Sequence, residues 1–140
     1  MIRPVGCTDL KIVIVSMNTN PWLNVELANY EGHMAEPSVG QAAMLASEFR
    51  RAIERCQPRS VALIGCAGGN GLEQLNHLGV RRVVCVDINP SYVQQVRERY
   101  SDLPGLEAVC SEVEQLTLPE PVDMVFGGLI FEYTKLAQAL

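Results

Sequence analysis

Two short runs of consecutive apolar residues, Val61–Ile64 and Val83–Val86, stand out in the pattern of hydrophobic and polar positions. Runs of this kind are typical of parallel strands that are covered on both faces. Leucines recur between them at helical spacing, and a glycine follows where a helix should end: Leu72, Leu75, Leu78 and Gly79. The stretch therefore predicts a strand–helix–strand unit, around which the rest of the chain is organised.

Helices are also predicted on both sides of this unit. Upstream, Ser38 and Gln41 form a capping-box pattern ahead of an apolar stripe, and Pro58 forces that helix to stop. Downstream, Asn89 and Pro90 supply the N-cap and the first-turn residue of a second helix with an apolar face. Both helices are expected to pack on the sheet.

The N-terminal region gives a weaker pattern. Residues 11–17 contain an Ile-Val-Ile-Val run, which predicts an added strand or hairpin arm ahead of the turn at 18–21. The segment that follows is predicted to be irregular, and its notable side chains are Trp22, Tyr30, His33 and Met34. An aromatic face or a carboxylate from this segment would favour a positively charged ligand group.

Two more strands are predicted at 106–110 and 122–126, and residues 131–140 read as the beginning of a helix without a stop signal. Right-handed crossovers would order the strands 3-2-1-4. We therefore expect an α/β fold, a Rossmann-like, doubly wound parallel sheet in three αβα layers, cut short after the fourth strand. Its ligand crevice would lie between strands 1 and 4, where the order reverses.

The first strand runs into a turn crowded with glycines, and the second strand ends in an acid. Gly65, Gly68, Gly69 and Gly71 lack the Cβ atom that would exclude positive φ or a close ligand. Asp87 stands 22 positions after Gly65, where a carboxylate accepts hydrogen bonds from both hydroxyls of a ribose. Together these features favour an adenosine-type ligand.

Three kinds of nucleotide site use such a turn. A phosphate-binding loop requires a lysine after the glycines, and none follows here. A dinucleotide site prefers Gly-x-Gly-x-x-Gly/Ala, but Ala67 and Asn70 occupy the second and third positions. The remaining pattern, Gly65-x-Ala67-x-Gly69-x-Gly71, resembles motif I of the class I S-adenosylmethionine-dependent methyltransferases.

This resemblance runs from about Tyr30 to the C-terminus and implies S-adenosylmethionine as cofactor and S-adenosylhomocysteine as product. Asp87 matches the acid that holds the ribose, and the 109–116 segment resembles the loop that reads the adenine. Leu63 departs from the pattern, because the family usually has an acid there. The implied cofactor contacts are Gly65, Cys66, Ala67, Gly69, Asp87, Ile88, Glu112, Val113, Tyr30 and Met34.

The resemblance also bears on the reaction. Residues 122–129 resemble the fourth strand and its exit loop, but they lack the Asn/Asp-Pro-Pro-Tyr/Phe sequence of members that methylate amino groups of nucleobases and glutamine. We therefore expect O- or C-methylation of a small molecule, and the pattern assigns no catalytic residue. A cofactor-binding regulatory domain and a nicotinamide-dependent oxidoreductase half-domain remain as alternatives.

Composition narrows the remaining choices. A chain of 140 residues, 48% hydrophobic, predicts one domain. The resemblance implies that residues 1–37 form an N-terminal arm or lid and that residues 38–140 form the core. A net charge of −5 without a basic run argues against nucleic-acid and membrane partners.

The five cysteines form no C-x-x-C pair, so we expect reduced thiols and no metal site. With no leader or membrane span in the pattern, a cytoplasmic location is expected.

The fourth strand leads to a prediction about assembly. It would form an exposed apolar edge, which proteins normally cover, so the chain is expected either to be a fragment of a longer protein or to self-associate through that edge. Light scattering on the purified chain measures this. A monomer with a solvated edge strand would contradict the expectation.

Overall fold

The computed structural model describes residues 20–128. The three α-helices are α1 (Leu27–Ala35), α2 (Gln41–Cys56) and α3 (Pro90–Arg99), and the four strands are β1 (Ser60–Ile64), β2 (Arg82–Asp87), β3 (Leu106–Cys110) and β4 (Met124–Gly127). Three short 3-10 helices span Pro21–Asn24, Leu72–His77 and Val113–Gln115.

The four strands form one parallel sheet in the order β3-β2-β1-β4, as the sequence predicted. In the register, Ile64 of β1 lies opposite Val86 of β2 and Gly127 of β4. The carboxyl ends of β1, β2 and β4 therefore meet at one edge of the sheet, and the order reverses between β1 and β4. This is the edge at which open α/β sheets bind ligands.

Each face of the sheet has its own apolar cluster. On one face, Phe49 and Ile53 of α2, Val96 of α3 and two leucines of the 3-10 helix 72–77 pack against alternate residues of β1 and β2. On the opposite face, the other strand positions pack against Val109 and the segment 113–122. Within residues 20–128, α2 and α3 therefore pack in the first cluster, and the segment 113–122 covers the second face.

The strand-to-helix turn ends in a 3-10 helix, which is tighter than an α-helix. Its leucines are spaced three apart, Leu72, Leu75 and Leu78, and three residues per turn is the repeat of a 3-10 helix. Leu72 and Leu75 are buried. The Leu72 N–H donates to Gly69 O at 3.1 Å. The turn itself therefore accepts the N–H group of Leu72 at the start of this helix.

The segment predicted to be irregular is a helix, α1. Leu27 and Met34 are buried on it and Tyr30 is half-buried. These three residues follow i, i+3, i+7 spacing, which marks one face of a helix. The stripe is short, and a glycine at position 32 weakens its helical signal.

The predicted capping box of the next helix does not form. Helix α2 begins at Gln41, its N-cap is Gly40 in the left-handed region at φ 61°, and no side chain caps it. Ser38 lies in the preceding turn, where Val39 and Gly40 both donate their N–H groups to Glu36 O. The tight turn leaves Ser38 outside the N-cap position.

Strand β4 begins two residues later than predicted because Asp123 closes the start of β1. Its Oδ2 accepts the N–H groups of Arg59 at 2.8 Å and Ser60 at 3.0 Å, and its own N–H donates to Ser60 O. These N–H donors lower the pKa of Asp123. Among the described strands β4 pairs with β1 alone, and 61% of Val125 is exposed at this edge.

Some expectations lie outside the described residues, namely the strand or hairpin arm at 11–17 and the helix that begins at 131. Among the described cysteines, Cys66 and Cys85 are buried free thiols and Cys56 and Cys110 are exposed ones. Between residues 20 and 128 the structure contains no helix with the length and apolarity to cross a membrane.

Phe49 is the side chain through which α2 is held on the sheet, so its truncation should destabilise the fold. It is 1% exposed, and its ring centroid lies 5.0 Å from that of Phe126 on β4. Phe49→Ala should lower the free energy of unfolding by about 3–5 kcal/mol in urea denaturation. Met44→Ala, on the same helix but at a side chain that is 49% exposed, should change it by less than about 0.5 kcal/mol. Similar losses in both variants would contradict this packing.

Candidate functional site

The glycine-rich turn after β1 is built from residues in the left-handed region. Gly65, Gly69 and Gly71 have φ values of 68°, 86° and 96°, and Ala67 has φ 48°. The N–H groups of Gly65 and Cys66 both donate to Val86 O, at 2.8 and 3.0 Å. The turn is thereby held against the end of β2, with its backbone bent as the sequence predicted.

Asp87 joins the same turn from the end of β2. Its Oδ2 accepts the Ala67 N–H at 2.9 Å, and its Oδ1 accepts the Asn89 N–H at 3.0 Å. The side chain is buried, and this burial raises the pKa of Asp87 although the backbone N–H groups of Asn89, Ala67 and Ile88 act to lower it. Each carboxylate oxygen that accepts one N–H keeps a second acceptor position. The carboxylate therefore retains the capacity to accept two hydroxyl groups.

A cavity of about 250 Å³ opens beside the turn, between the ends of β1 and β4. Leu63 and Ile64 of β1 and Phe126 of β4 give it an apolar wall. The turn contributes Gly65, Cys66, Ala67, Gly68 and Asn70, and α1 contributes Tyr30, Glu31, Met34 and Ala35. Leu63, which stands where the resembled family has an acid, is thus an apolar part of this wall. Asp87 is buried behind Ala67 and does not line the cavity.

The segment 20–35 covers the turn and is bonded to the start of α3. Asn89 Nδ2 donates to Trp22 O at 2.9 Å, and the Tyr92 hydroxyl donates to Val25 O at 2.6 Å. The ring of Tyr30 packs edge-on against Trp22 with centroids 5.7 Å apart, and it is tilted against Tyr92 at 6.3 Å. Burial, followed by the charge of Asp87, raises the pKa of Tyr30. The negative charge of Asp87 therefore acts on the Tyr30 hydroxyl group.

A second anchor connects α1 to the end of α3. The Arg99 guanidinium donates to both oxygens of Glu31, at 2.6 and 2.9 Å, and its Nη1 also lies 3.4 Å from Gly68 O. Gly68 has no positive φ, but an added Cβ would overlap both the Glu31 carboxylate and the Arg99 guanidinium. A side chain at position 68 would require the ion pair to shift, because the pair lies directly against the turn.

Two further side chains, of Asn70 and Tyr100, also hold the turn in place. Asn70 Nδ2 donates to Ala42 O of α2 at 2.8 Å, and the Tyr100 hydroxyl donates to Gly69 O at 3.1 Å. A Cβ at Gly69 would collide with the Tyr100 ring. A hydrogen bond with Cys85 and burial raise the pKa of the Cys66 thiol, which keeps this cavity-lining cysteine protonated.

The exits of β2 and β3 lie next to each other. Ser111 N donates to Asp87 O at 3.0 Å, and Cys110 Sγ lies 3.4 Å from Ile88 O. Glu112 follows as the N-cap of the 3-10 helix Val113–Gln115 and is exposed, with its Oε2 accepting from Gln115 Nε2 at 3.0 Å. This edge therefore continues the turn and Asp87 toward β3.

The predicted residues fall into two adjoining groups. Tyr30, Met34, Gly65, Cys66 and Ala67 line the cavity, and Asp87, Ile88, Glu112 and Val113 follow the strand ends beyond it. Gly69 faces Tyr100 and Leu72 on the outer side of the turn. Sequence reasoning missed Glu31 and Arg99, because no pattern relates two residues 68 positions apart. Between residues 20 and 128, no group of three or more His, Cys, Asp or Glu side chains could hold a metal ion.

A parallel sheet in the order 3-2-1-4, with a glycine turn after β1 and a buried acid at the end of β2, defines the Rossmann-like class of nucleotide-binding folds. Comparison with protein families identifies the branch. The family described as "Methyltransferase domain" matches residues 61–140, which is more than half of the chain. The chain belongs to this methyltransferase family.

Curated relatives agree with this assignment over part of their length. A probable S-adenosylmethionine-dependent methyltransferase of Mycobacterium tuberculosis is 31% identical over 86 residues, covering 61% of this chain and 30% of that protein. A trans-aconitate 2-methyltransferase of Rhodopseudomonas palustris is 35% identical over 77 residues, covering 54% of this chain and 29% of that protein. The matched segments thus span less than a third of either relative.

Solved structures share the fold. The N-methyltransferase NodS from Bradyrhizobium japonicum, in complex with S-adenosyl-l-homocysteine, superimposes with a TM-score of 0.64 at 20% identity, covering 87% of this chain and 62% of that one. The protein arginine methyltransferase 10 of Arabidopsis thaliana gives 0.56 at 19% identity, covering 74% and 30%. At these identities the likeness concerns the fold.

Burial of Asp87 predicts an unusual pH dependence of stability. Because its pKa in the folded state is raised above the ordinary 3.8, the folded state holds the proton more tightly. The free energy of unfolding of the wild type, relative to Asp87→Asn, should therefore fall as pH rises from 3.8 through the acid range. Urea denaturation at a series of pH values measures the difference.

Asp123→Asn provides a control of opposite sign. The pKa of Asp123 is lowered from 3.8, so the stability it contributes is present above 3.8 and is lost as pH falls through the lower folded-state value. Slopes of the same sign for the two aspartates would show that Asp87 is not buried as described.

Proposed function

We propose that this chain is the cofactor-binding part of an S-adenosylmethionine-dependent methyltransferase. The observation that carries the proposal is the bond between the Ala67 N–H and the Asp87 carboxylate, which joins a glycine turn and a ribose-type acceptor at the point where the strand order reverses. Family membership and the names of the matched relatives support the same cofactor.

The described residues fit such a ligand. Gly65, Cys66, Ala67 and Gly69 would present backbone toward its methionine and ribose portions, with Gly69 acting through the shape of the turn. Asp87 would use its two remaining acceptor positions for the ribose hydroxyls. The positive φ values in this turn support close approach of a ligand to the backbone.

The adenine would lie along the exits of β2 and β3. Ile88 would pack beside the ring, and Glu112 and Val113 would read its polar edge. The hydrogen bond from Ser111 N to Asp87 O supports this arrangement, because it holds the two exits together. Glu112 is exposed, so its carboxylate is free to turn toward a bound base.

Residues 1–37 are proposed to act as a lid, with Tyr30 and Met34 against the cofactor. Within this segment, residues 20–35 cover the turn, and Asp87 beneath them is 8% exposed. A ribose can reach the carboxylate only when this cover shifts. Binding would therefore include a movement of the segment away from Ala67 and its return.

The acceptor is proposed to be a small molecule methylated on oxygen or carbon. When bound, S-adenosylmethionine supplies a methyl group on a positively charged sulfur, and an acceptor takes it by in-line displacement. The cavity would position the acceptor and exclude water, which can provide much of the rate of such a reaction. A matched relative named for trans-aconitate and the net charge of −5 support a small acceptor over a nucleic acid.

Calorimetry tests the cofactor directly. The purified chain, titrated with S-adenosylmethionine, S-adenosylhomocysteine and NAD, should bind both sulfur nucleotides with micromolar affinity and NAD more weakly. Asp87→Ala should weaken the sulfur nucleotides by at least about tenfold, because a hydrogen-bonded charged acceptor contributes about 1.5–3 kcal/mol. Asp102→Ala, at an exposed position beyond α3, should leave binding unchanged.

A folding check is needed because Asp87 also holds the turn. Urea denaturation identifies conditions under which Asp87→Ala remains folded, and binding is compared there. Preferential binding of NAD by the wild type would replace the proposal with a nicotinamide-dependent activity. Binding without methyl transfer to any small acceptor would indicate a regulatory domain.

A further inference from the structure

The cavity beside the glycine turn has one charged residue in an otherwise uncharged lining. Glu31 is the one side chain charged at neutral pH among the described residues that line it. The opposite wall is apolar and includes Leu63, Ile64 and Phe126. Water screens a carboxylate in such a setting only partly, so the carboxylate favours positively charged groups on a ligand that enters the cavity.

Glu31 is held in place by structure on two sides. Arg99 binds both of its oxygens in a fork at 2.6 and 2.9 Å. Gly68 leaves the space beneath the pair, since a Cβ there would overlap both side chains. The carboxylate is therefore positioned against the turn in one orientation.

The two charges of the ion pair lie differently with respect to the cavity. Glu31 lines the cavity and Arg99 does not, so the negative end of the pair faces inward and the positive end lies behind it. Two of the acceptor positions of the carboxylate are taken by Arg99, and the others remain available. A positively charged ligand group is favoured at this wall, and a neutral one gains nothing from it.

We propose that Glu31 determines the specificity of this site for the ammonium group at the amino-acid end of the cofactor. The inference rests on the proposed function, and it assigns to α1 a carboxylate that β1, with Leu63, does not provide. Glu31 would favour S-adenosylmethionine over neutral adenosine compounds that share its ribose and base.

The test compares a charged and a neutral ligand in matched variants. S-Adenosylmethionine and 5′-methylthioadenosine, which has no charged group, are titrated calorimetrically into the wild type and Glu31→Gln. The variant should bind S-adenosylmethionine about fivefold more weakly, the upper range for a partly exposed charge pair. Its affinity for 5′-methylthioadenosine should stay the same.

Arg99→Gln separates charge from structure. This variant breaks the same ion pair but keeps the Glu31 carboxylate, so its preference for S-adenosylmethionine over 5′-methylthioadenosine should equal or exceed that of the wild type. Glu36→Gln removes an equal charge from an exposed residue just beyond α1. It should behave as the wild type does.

Any one of four results would overturn the assignment. Equal weakening of both ligands in Glu31→Gln, or the same loss of preference in Arg99→Gln, would show that the pair only fastens α1 to α3. Failure of the wild type to bind either compound would overturn the proposed function as well. Wild-type binding of S-adenosylmethionine with an unchanged preference in Glu31→Gln would overturn this inference alone.

Discussion

The hydrogen bond from the Ala67 N–H to the Asp87 carboxylate joins the turn after β1 to the end of β2 through a side chain. Ala67 adopts a left-handed conformation, which costs an ordinary residue about 1–2 kcal/mol. A hydrogen bond to a charged group contributes about 1.5–3 kcal/mol, so this bond is large enough to hold the turn in that shape. The bond lies between a buried carboxylate and a residue that lines the cavity.

The segment 20–35 is hydrogen-bonded to both ends of the same helix, α3. Asn89 and Tyr92 hold it near the start of α3, and Arg99 holds it near the end. Between these points the segment crosses the turn and covers Asp87. Stability and ligand access are therefore opposed in this region, because the contacts that order the cover are those that must loosen to expose the carboxylate.

The centre of the sheet could be predicted from the sequence because β1 and β2 contain continuous apolar runs, and the turn because its glycines fix both its position and its shape. Helix α1 could not, since three stripe residues and Gly32 give a weak helical signal. The start of α2 at Gln41 depended on a local turn that competed with the capping box. The Glu31–Arg99 pair brings together residues distant along the chain, and only the tertiary fold shows it.

Gly68 has an ordinary backbone conformation, and its importance comes from the atoms above it. Positions 31, 68 and 99 are consequently sterically coupled, since a side chain at 68 would require the acid and the base to shift. Homologues with a larger residue at 68 should have lost the acid–base pair together, while homologues that keep the pair should keep glycine. Covariation among these three positions would therefore record a steric constraint that no single position reveals.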